Sequence, residues 1–213
     1  METVISLFEM IGVVVFAITG SLEAIKSKLD LLGVLILGIT TAVGGGIIRD
    51  IILGINPPKS FINPTFIYVA LITSLLVFIT VYYNKKILGN ASNKFIDSVL
   101  TVTDAMGLAV FTILGMKLAY TQSVDYRGVT YIFVGLISGV GGGLTRDILI
   151  QKVPYILERN IYASASILGA VAFYLLSKYG VFDEFIRMGL SILLIFIIRI
   201  YAAKNDLHLP KVS

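Results

Sequence analysis

The chain contains no cysteine and no tryptophan, a single histidine (His208) and five prolines, and only 14% of its 213 residues are charged. Without cysteine there are neither disulfides nor thiolate metal sites. One histidine in a polar tail provides no metal-ligand set, so no metal and no other cofactor is expected. The prolines stand at Pro57, Pro58, Pro64, Pro154 and Pro210, all between or beyond the apolar runs, where chain leaves a helix. His-Glu-x-x-His and Gly-x-Ser-x-Gly are both missing, which argues against an enzyme. Lysine and arginine are scattered singly among apolar residues despite a net charge of +4, so no clustered basic face is offered to nucleic acid.

What is abundant is apolar surface: 57% of residues are hydrophobic and the mean hydropathy is +0.93, beyond a soluble domain of this size. The chain reads as an all-α integral membrane protein. A hydrocarbon core about 30 Å thick takes a helix of roughly 17–25 apolar residues. Seven runs qualify, at 4–22, 31–54, 61–83, 95–118, 129–150, 161–177 and 185–203. Tyrosines near their ends, among them Tyr82, Tyr120, Tyr155, Tyr179 and Tyr201, fit an interfacial belt. Glu2 precedes the first run where a signal peptide carries basic residues, so this run is expected to stay as a span.

The pattern occurs twice. Glu9-x-x-Gly12-x-x-x-Phe16-x-x-x-Gly20 reappears 95 residues on as Asp104-x-x-Gly107-x-x-x-Phe111-x-x-x-Gly115. Gly44-Gly45-Gly46-x-x-Arg49-Asp50 reappears 97 residues on as Gly141-Gly142-Gly143-x-x-Arg146-Asp147. The repeat unit is three spans (4–83 and 95–178), and the span at 185–203 is an addition. An odd number of spans per unit makes the copies run in opposite directions through the membrane, an inverted repeat. Ten basic residues of loops and span ends fall on one side (Lys26, Lys28, Lys85, Lys86, Lys94, Lys152, Arg159, Arg199, Lys204, Lys211) and five on the other (Lys59, Lys117, Arg127, Lys178, Arg187). The positive-inside bias then puts the N-terminus outside and the C-terminus in the cytoplasm.

Three consecutive glycines each cost roughly 1 kcal/mol against alanine in a helix. Irregular backbone at membrane depth survives only where protein or a wet cavity shields it. Helices two and five are therefore expected to break at their glycines and line a path; close helix packing is the other use of small residues. Arg49, Asp50, Arg146 and Asp147 follow while the run is still apolar, as charges of a pathway or as ions that hold helices together. Inversion puts Arg49 and Arg146 on opposite sides of the midplane, so Arg49 and Asp147 should not pair. Glu9 is the acid at the depth of Arg49, and Asp104 the one at the depth of Arg146, which predicts two pairs, direct or through one water. Lys117 sits near the outer interface, placed to snorkel or to gate.

Duplicated acidic-x-x-Gly and Gly-Gly-Gly-x-x-Arg-Asp spans with a seventh helix resemble the prokaryotic branch of the trimeric intracellular cation (TRIC) channel family. The resemblance implies a homotrimer in the plasma membrane, contacting lipids. It also implies one K⁺- and Na⁺-permeable pore per protomer, formed at the glycine kinks, and a gating role for Lys117. The family's animal members follow that lysine with Glu-Val, where this chain has Leu118-Ala119. No Thr-Val-Gly-Tyr-Gly filter is present, so weak discrimination among monovalent cations is expected. The same architecture also serves secondary transporters, and a transporter of a small zwitterion such as glycine is the alternative.

Overall fold

A computed structural model describes residues 2–84, 93–122, 128–158 and 161–207. Lys85, Lys86, Arg127, Arg159, His208, Pro210 and Lys211, used in the charge and tail readings above, lie outside the described residues. Among the described residues every element is helical: α1 (Glu2–Lys26), α2 (Leu31–Ile52), α3 (Lys59–Ile62), α4 (Thr65–Tyr83), α5 (Asn93–Gln122), α6 (Gly128–Leu149), α7 (Tyr155–Glu158), α8 (Ala163–Lys178) and α9 (Glu184–Lys204). Seven of these match the seven apolar runs one to one. Six of the seven are long and apolar enough to cross a bilayer; α8, with 16 residues, is shorter.

α5 is the central post. It packs on α6, α1, α9 and α8, while α1 and α2 pack on each other and on α4. One apolar cluster gathers Leu108, Ile113, Val134, Phe173 and Ile195 from α5, α6, α8 and α9. A second gathers Val13, Phe16, Ala42 and Ala70 from α1, α2 and α4, and includes Phe111 of α5. The Phe16 and Phe111 rings stack with centroids 5.4 Å apart. Each ring occupies the space left by a glycine of the opposite helix: a Cβ on Gly107 would run into Phe16, and one on Gly12 into Phe111. The sequence places Gly12 and Phe16 as counterparts of Gly107 and Phe111, so the reciprocal seating joins matching positions. Outward faces remain apolar, with Tyr68, Ile72, Leu76 and Tyr83 of α4 exposed, as lipid or a neighbouring copy requires.

Helix ends follow local chemistry. The Asp30 carboxylate caps α2 by accepting from the Gly33 N–H at 2.8 Å. α2 closes in a Schellman turn, with Gly54 at φ +71° and the Ile55 N–H donating to Asp50 O. α6 closes in the same way with Gln151 at φ +56° and Lys152 donating to Asp147 O. Both turns send the chain back over the helix it has just left, which positions the site below.

Candidate functional site at the glycine crossing

Neither glycine triplet breaks its helix: α2 is α-helical throughout Leu31–Ile52 and α6 throughout Gly128–Leu149. The expected break is thus corrected, and the packing explains why. A Cβ on Gly45 would collide with the backbone carbonyl of Ser138, and one on Gly142 with that of Thr41. A Cβ on Gly141 would lie 2.9 Å from the Cα of Gly45. The two triplets therefore cross backbone on backbone, which only glycine allows. At such a crossing water has no access to take over the carbonyls, so each helix keeps its own hydrogen bonds. Gly44 and Gly46 have looser surroundings, with nearest neighbours at 3.4 and 3.7 Å; at Gly143 the nearest is the Tyr162 hydroxyl, at 3.2 Å.

One turn beyond each triplet lies an arginine–aspartate clamp. Arg49 Nε donates to Asp50 Oδ1 at 2.9 Å and its Nη2 lies 2.8 Å from the same oxygen. Asp50 Oδ2 accepts the backbone N–H of Lys59, the first residue of α3. In the second copy Arg146 Nε donates to Asp147 Oδ1 at 2.8 Å, and Asp147 Oδ2 accepts the N–H of Tyr155, the first residue of α7. Each aspartate thus ties the returning chain to the helix end. The structure brings together Arg49 with Asp50 and Arg146 with Asp147; Arg49 and Asp147 do not pair.

The copies then diverge. Arg146 Nη1 donates to Asp104 Oδ1 at 2.9 Å, as the sequence predicts, and the guanidinium lies 5.0 Å from the Tyr155 ring centre. Arg146 is fully buried. Glu9 forms no ion pair with Arg49, so the first expected pair is not made directly. Arg49 gives both Nε and Nη2 to Asp50, whereas Arg146 gives Nε to Asp147 and Nη1 to Asp104. Glu9 and Arg49 instead line one cavity of about 460 Å³, together with Lys59, Lys117 and Phe111.

A second cavity, of about 400 Å³, is lined by Lys26, Asp97, Asp104, Tyr155 and Arg199. The two open toward opposite ends of the bundle: the first meets α1 at Ile5 and Glu9 and α5 at 111–121, the second meets α1 at Lys26 and α5 at 97–104. Between them lie the glycine crossing and the Phe16–Phe111 stack.

Lys117 is ion-paired with Glu184 at the start of α9. Sequence reasoning missed this partner, as it missed the Glu23 carboxylate. Glu23 is 2% exposed and accepts from Lys152 Nζ at 2.8 Å and Tyr155 Oη at 3.1 Å, tying α1 to the chain after α6. Arg199, which the sequence marks only as a basic residue at a span end, lies 4.8 Å from the Tyr162 ring centre. An acid inside an apolar run signals Glu23; nothing in the sequence links Lys117 to a residue 67 positions away. The Lys117 and Glu184 side chains are 11% and 31% exposed, so a double-mutant cycle with alanine should give a coupling of about 1 kcal/mol. Thermal unfolding of the four proteins in detergent measures it.

Comparison with known proteins fits this geometry. A family model described as Glycine transporter matches residues 6–82 and 101–178, the two stretches that carry the repeated motifs. The UPF0126 inner membrane protein YadS of Escherichia coli K12 is 38% identical over 206 residues, covering 95% of this chain and 93% of its own. A solved TRIC cation channel superposes with a TM-score of 0.82 at 37% identity, over 98% of this chain and 97% of that one. The chain belongs to the Glycine transporter family and is a prokaryotic TRIC-type protein. The TRIC trimeric intracellular cation channel orthologue from Rhodobacter sphaeroides, at 30% identity, agrees over 96% of this chain and all of its own with a TM-score of 0.85. A multi-pass membrane protein of TRIC fold is thus the setting in which the two cavities act.

Proposed function

We propose that this TRIC-type protein is a homotrimeric channel for monovalent cations, K⁺ foremost and Na⁺ also, with one path inside each protomer. The observation that carries the reading is the pair of charged cavities at opposite ends of one helix bundle, with the glycine crossing and the phenylalanine stack between them. The fold it shares with TRIC cation channels supports it. In this reading Gly44–Gly46 and Gly141–Gly143 form the constriction, and it opens when α2 and α6 bend or slide at their contact. Arg49 and Lys117 stand in the first vestibule, and Asp104, held by the buried Arg146, lines the second. Asp50 and Asp147, with both oxygens engaged, hold the framework and do not touch ions.

The protein sits in the plasma membrane among lipids as two inverted three-helix repeats plus α9, with α8 completing seven spans, the N-terminus outside and the C-terminus in the cytoplasm. Cysteines at Lys28 and Lys204 should then react with a membrane-impermeant maleimide only from the cytoplasmic side, and one at Gln122 only from outside. Labelling of Lys28 and Gln122 from the same face would remove this topology.

The second reading, a transporter of a small zwitterion, is favoured by the family description and by the open acid Glu9 beside Arg49. Proteoliposomes separate the two. The channel gives K⁺ efflux down its gradient at a rate linear in concentration, without glycine. The transporter gives saturable glycine uptake coupled to H⁺ or Na⁺, and no K⁺ efflux.

A further inference from the structure

We propose that the furrow between α4 and α5, on the surface of α1, is a seat for one acyl chain of a membrane phospholipid. The inference rests on packing alone and is independent of what the protein transports.

α4 and α5 both pack on α1 and leave between them a furrow of about 470 Å³. Val14, Ile18 and Leu22 of α1 form its floor, with Thr73 and Val77 of α4 and Val99 of α5 on its walls. The lining is almost all carbon, and the Thr80 hydroxyl at its edge is spent on Leu76 O at 2.7 Å. All three helices are of membrane-crossing length, so the medium around the furrow is hydrocarbon.

The second copy shows how such a furrow is filled. By the offsets of 95 and 97 residues, its counterpart has α5 as the floor and α8 and α1 as the walls. Ala109, Ile113 and Lys117 of that floor correspond to Val14, Ile18 and Leu22. There α9 lies in the furrow: Ala109, Ile113, Ala170 and Phe173 join one cluster with Ile192 and Ile195. Lys117 pairs with Glu184 at the start of α9, and Phe8 of α1 meets Phe185 with ring centres 6.0 Å apart. α9 is the helix added after the repeats, and the described chain offers no such segment to the first copy.

The open furrow suits a lipid chain and not another helix. Helices approach closely in hydrocarbon where small residues let their backbones near. α9 lies on Gly169, where a Cβ would run into Ile195, and beside Ala170 and Ala109. At these three places the first copy has Ile72, Thr73 and Val14. The furrow is also short. Its floor runs roughly 12 Å from Val14 to Leu22, and the buried cluster of Leu22, Val81, Ile96 and Leu100 then joins its two walls. A straight spanning helix would be seated over less than half its length. A flexible chain of methylenes can enter from the side, follow the branched side chains and bend out again, filling space that a close-packed interior does not leave empty.

Photolabelling of the purified wild-type protein in phosphatidylcholine vesicles, with a phospholipid carrying a diazirine midway along one acyl chain, tests the seat. Peptide mass spectrometry should find label on Val14, Thr73, Val77 and Val99 several-fold above Leu190 and Leu193, on the exposed face of α9. Native mass spectrometry should find phospholipid retained by the detergent-purified protein and lost in Thr73→Trp, whose ring fills the furrow, while Leu193→Trp retains it. Equal labelling of the furrow and of α9 would overturn the seat, as would undiminished retention in a folded Thr73→Trp. Crosslinking between protomers from a photoreactive residue at Thr73 would put a second copy in the furrow and overturn it as well. The labelling uses only the wild-type chain, so it decides the question even if Thr73→Trp fails to fold.

Discussion

Gly142→Ala is expected to destabilise the folded protein by about 1–3 kcal/mol, whereas Gly44→Ala is expected to leave it unchanged or stabilise it by up to about 1 kcal/mol. Helix propensity alone predicts a gain at every one of the six glycines, because alanine is the better helix former by roughly 1 kcal/mol. Packing reverses the sign where the new methyl meets backbone. At Gly142 it meets the Thr41 carbonyl and at Gly45 the Ser138 carbonyl, and neither can rotate away. The helices must part, and the loss runs along the whole crossing. At Gly44 the nearest atom is the Thr145 hydroxyl oxygen at 3.4 Å, an ordinary contact. Thermal unfolding of the six alanine variants in detergent should thus divide each triplet, with Gly45, Gly141 and Gly142 intolerant, Gly44 and Gly46 tolerant, and Gly143, 3.2 Å from the Tyr162 hydroxyl, between them. Six equal responses would show that the crossing is not tight.

The second large effect is electrostatic. Asp104→Ala leaves Arg146 with one carboxylate in a fully enclosed position, and breaking a buried pair by removing one partner costs about 3–5 kcal/mol. Arg146→Ala should cost a similar amount, since it strands both Asp104 and Asp147. The double variant should lose less than the sum of the two, because the stranded charge of one is absent in the other. Glu9→Ala should cost well under 1 kcal/mol, since among the described residues Glu9 makes no direct ion pair whose loss would strand a partner. Equal losses at Glu9 and Asp104 would contradict the asymmetry between the two copies.

Seven apolar runs, the duplicated motifs and the Asp104–Arg146 pair were all legible in the sequence, because hydrophobic length and a nearly constant offset between copies, 95 and 97 residues, survive without coordinates. Pairing at matched depth is a one-dimensional argument, so it located the correct acid for Arg146. For Glu9 the same argument gave no direct pair, because depth does not fix lateral distance, although Glu9 and Arg49 line one cavity. Glutamate at position 9 and aspartate at 104 occupy equivalent places, yet only the aspartate closes on its arginine. The glycine triplets misled for another reason. Propensity counts what glycine costs a helix by itself, and the compensating contact came from a second helix 97 residues away, whose own glycines made the approach possible. Clamping of α3 and α7 by Asp50 and Asp147 was equally hidden, since a carboxylate accepting a backbone N–H eight or nine residues on leaves no side-chain signature. Lys117 shows the limit most plainly: its position suggested a snorkelling cation, and its ion pair with Glu184 depends on how α9 docks against α5.

Planar-bilayer recording of the purified protein in symmetric KCl tests the central proposal most directly. The account predicts stepwise unitary currents that persist when Na⁺ replaces K⁺ and disappear in Gly142→Leu, in which a branched side chain is forced into the helix crossing. Absence of unitary current from protein that takes up glycine saturably in proteoliposomes would contradict it.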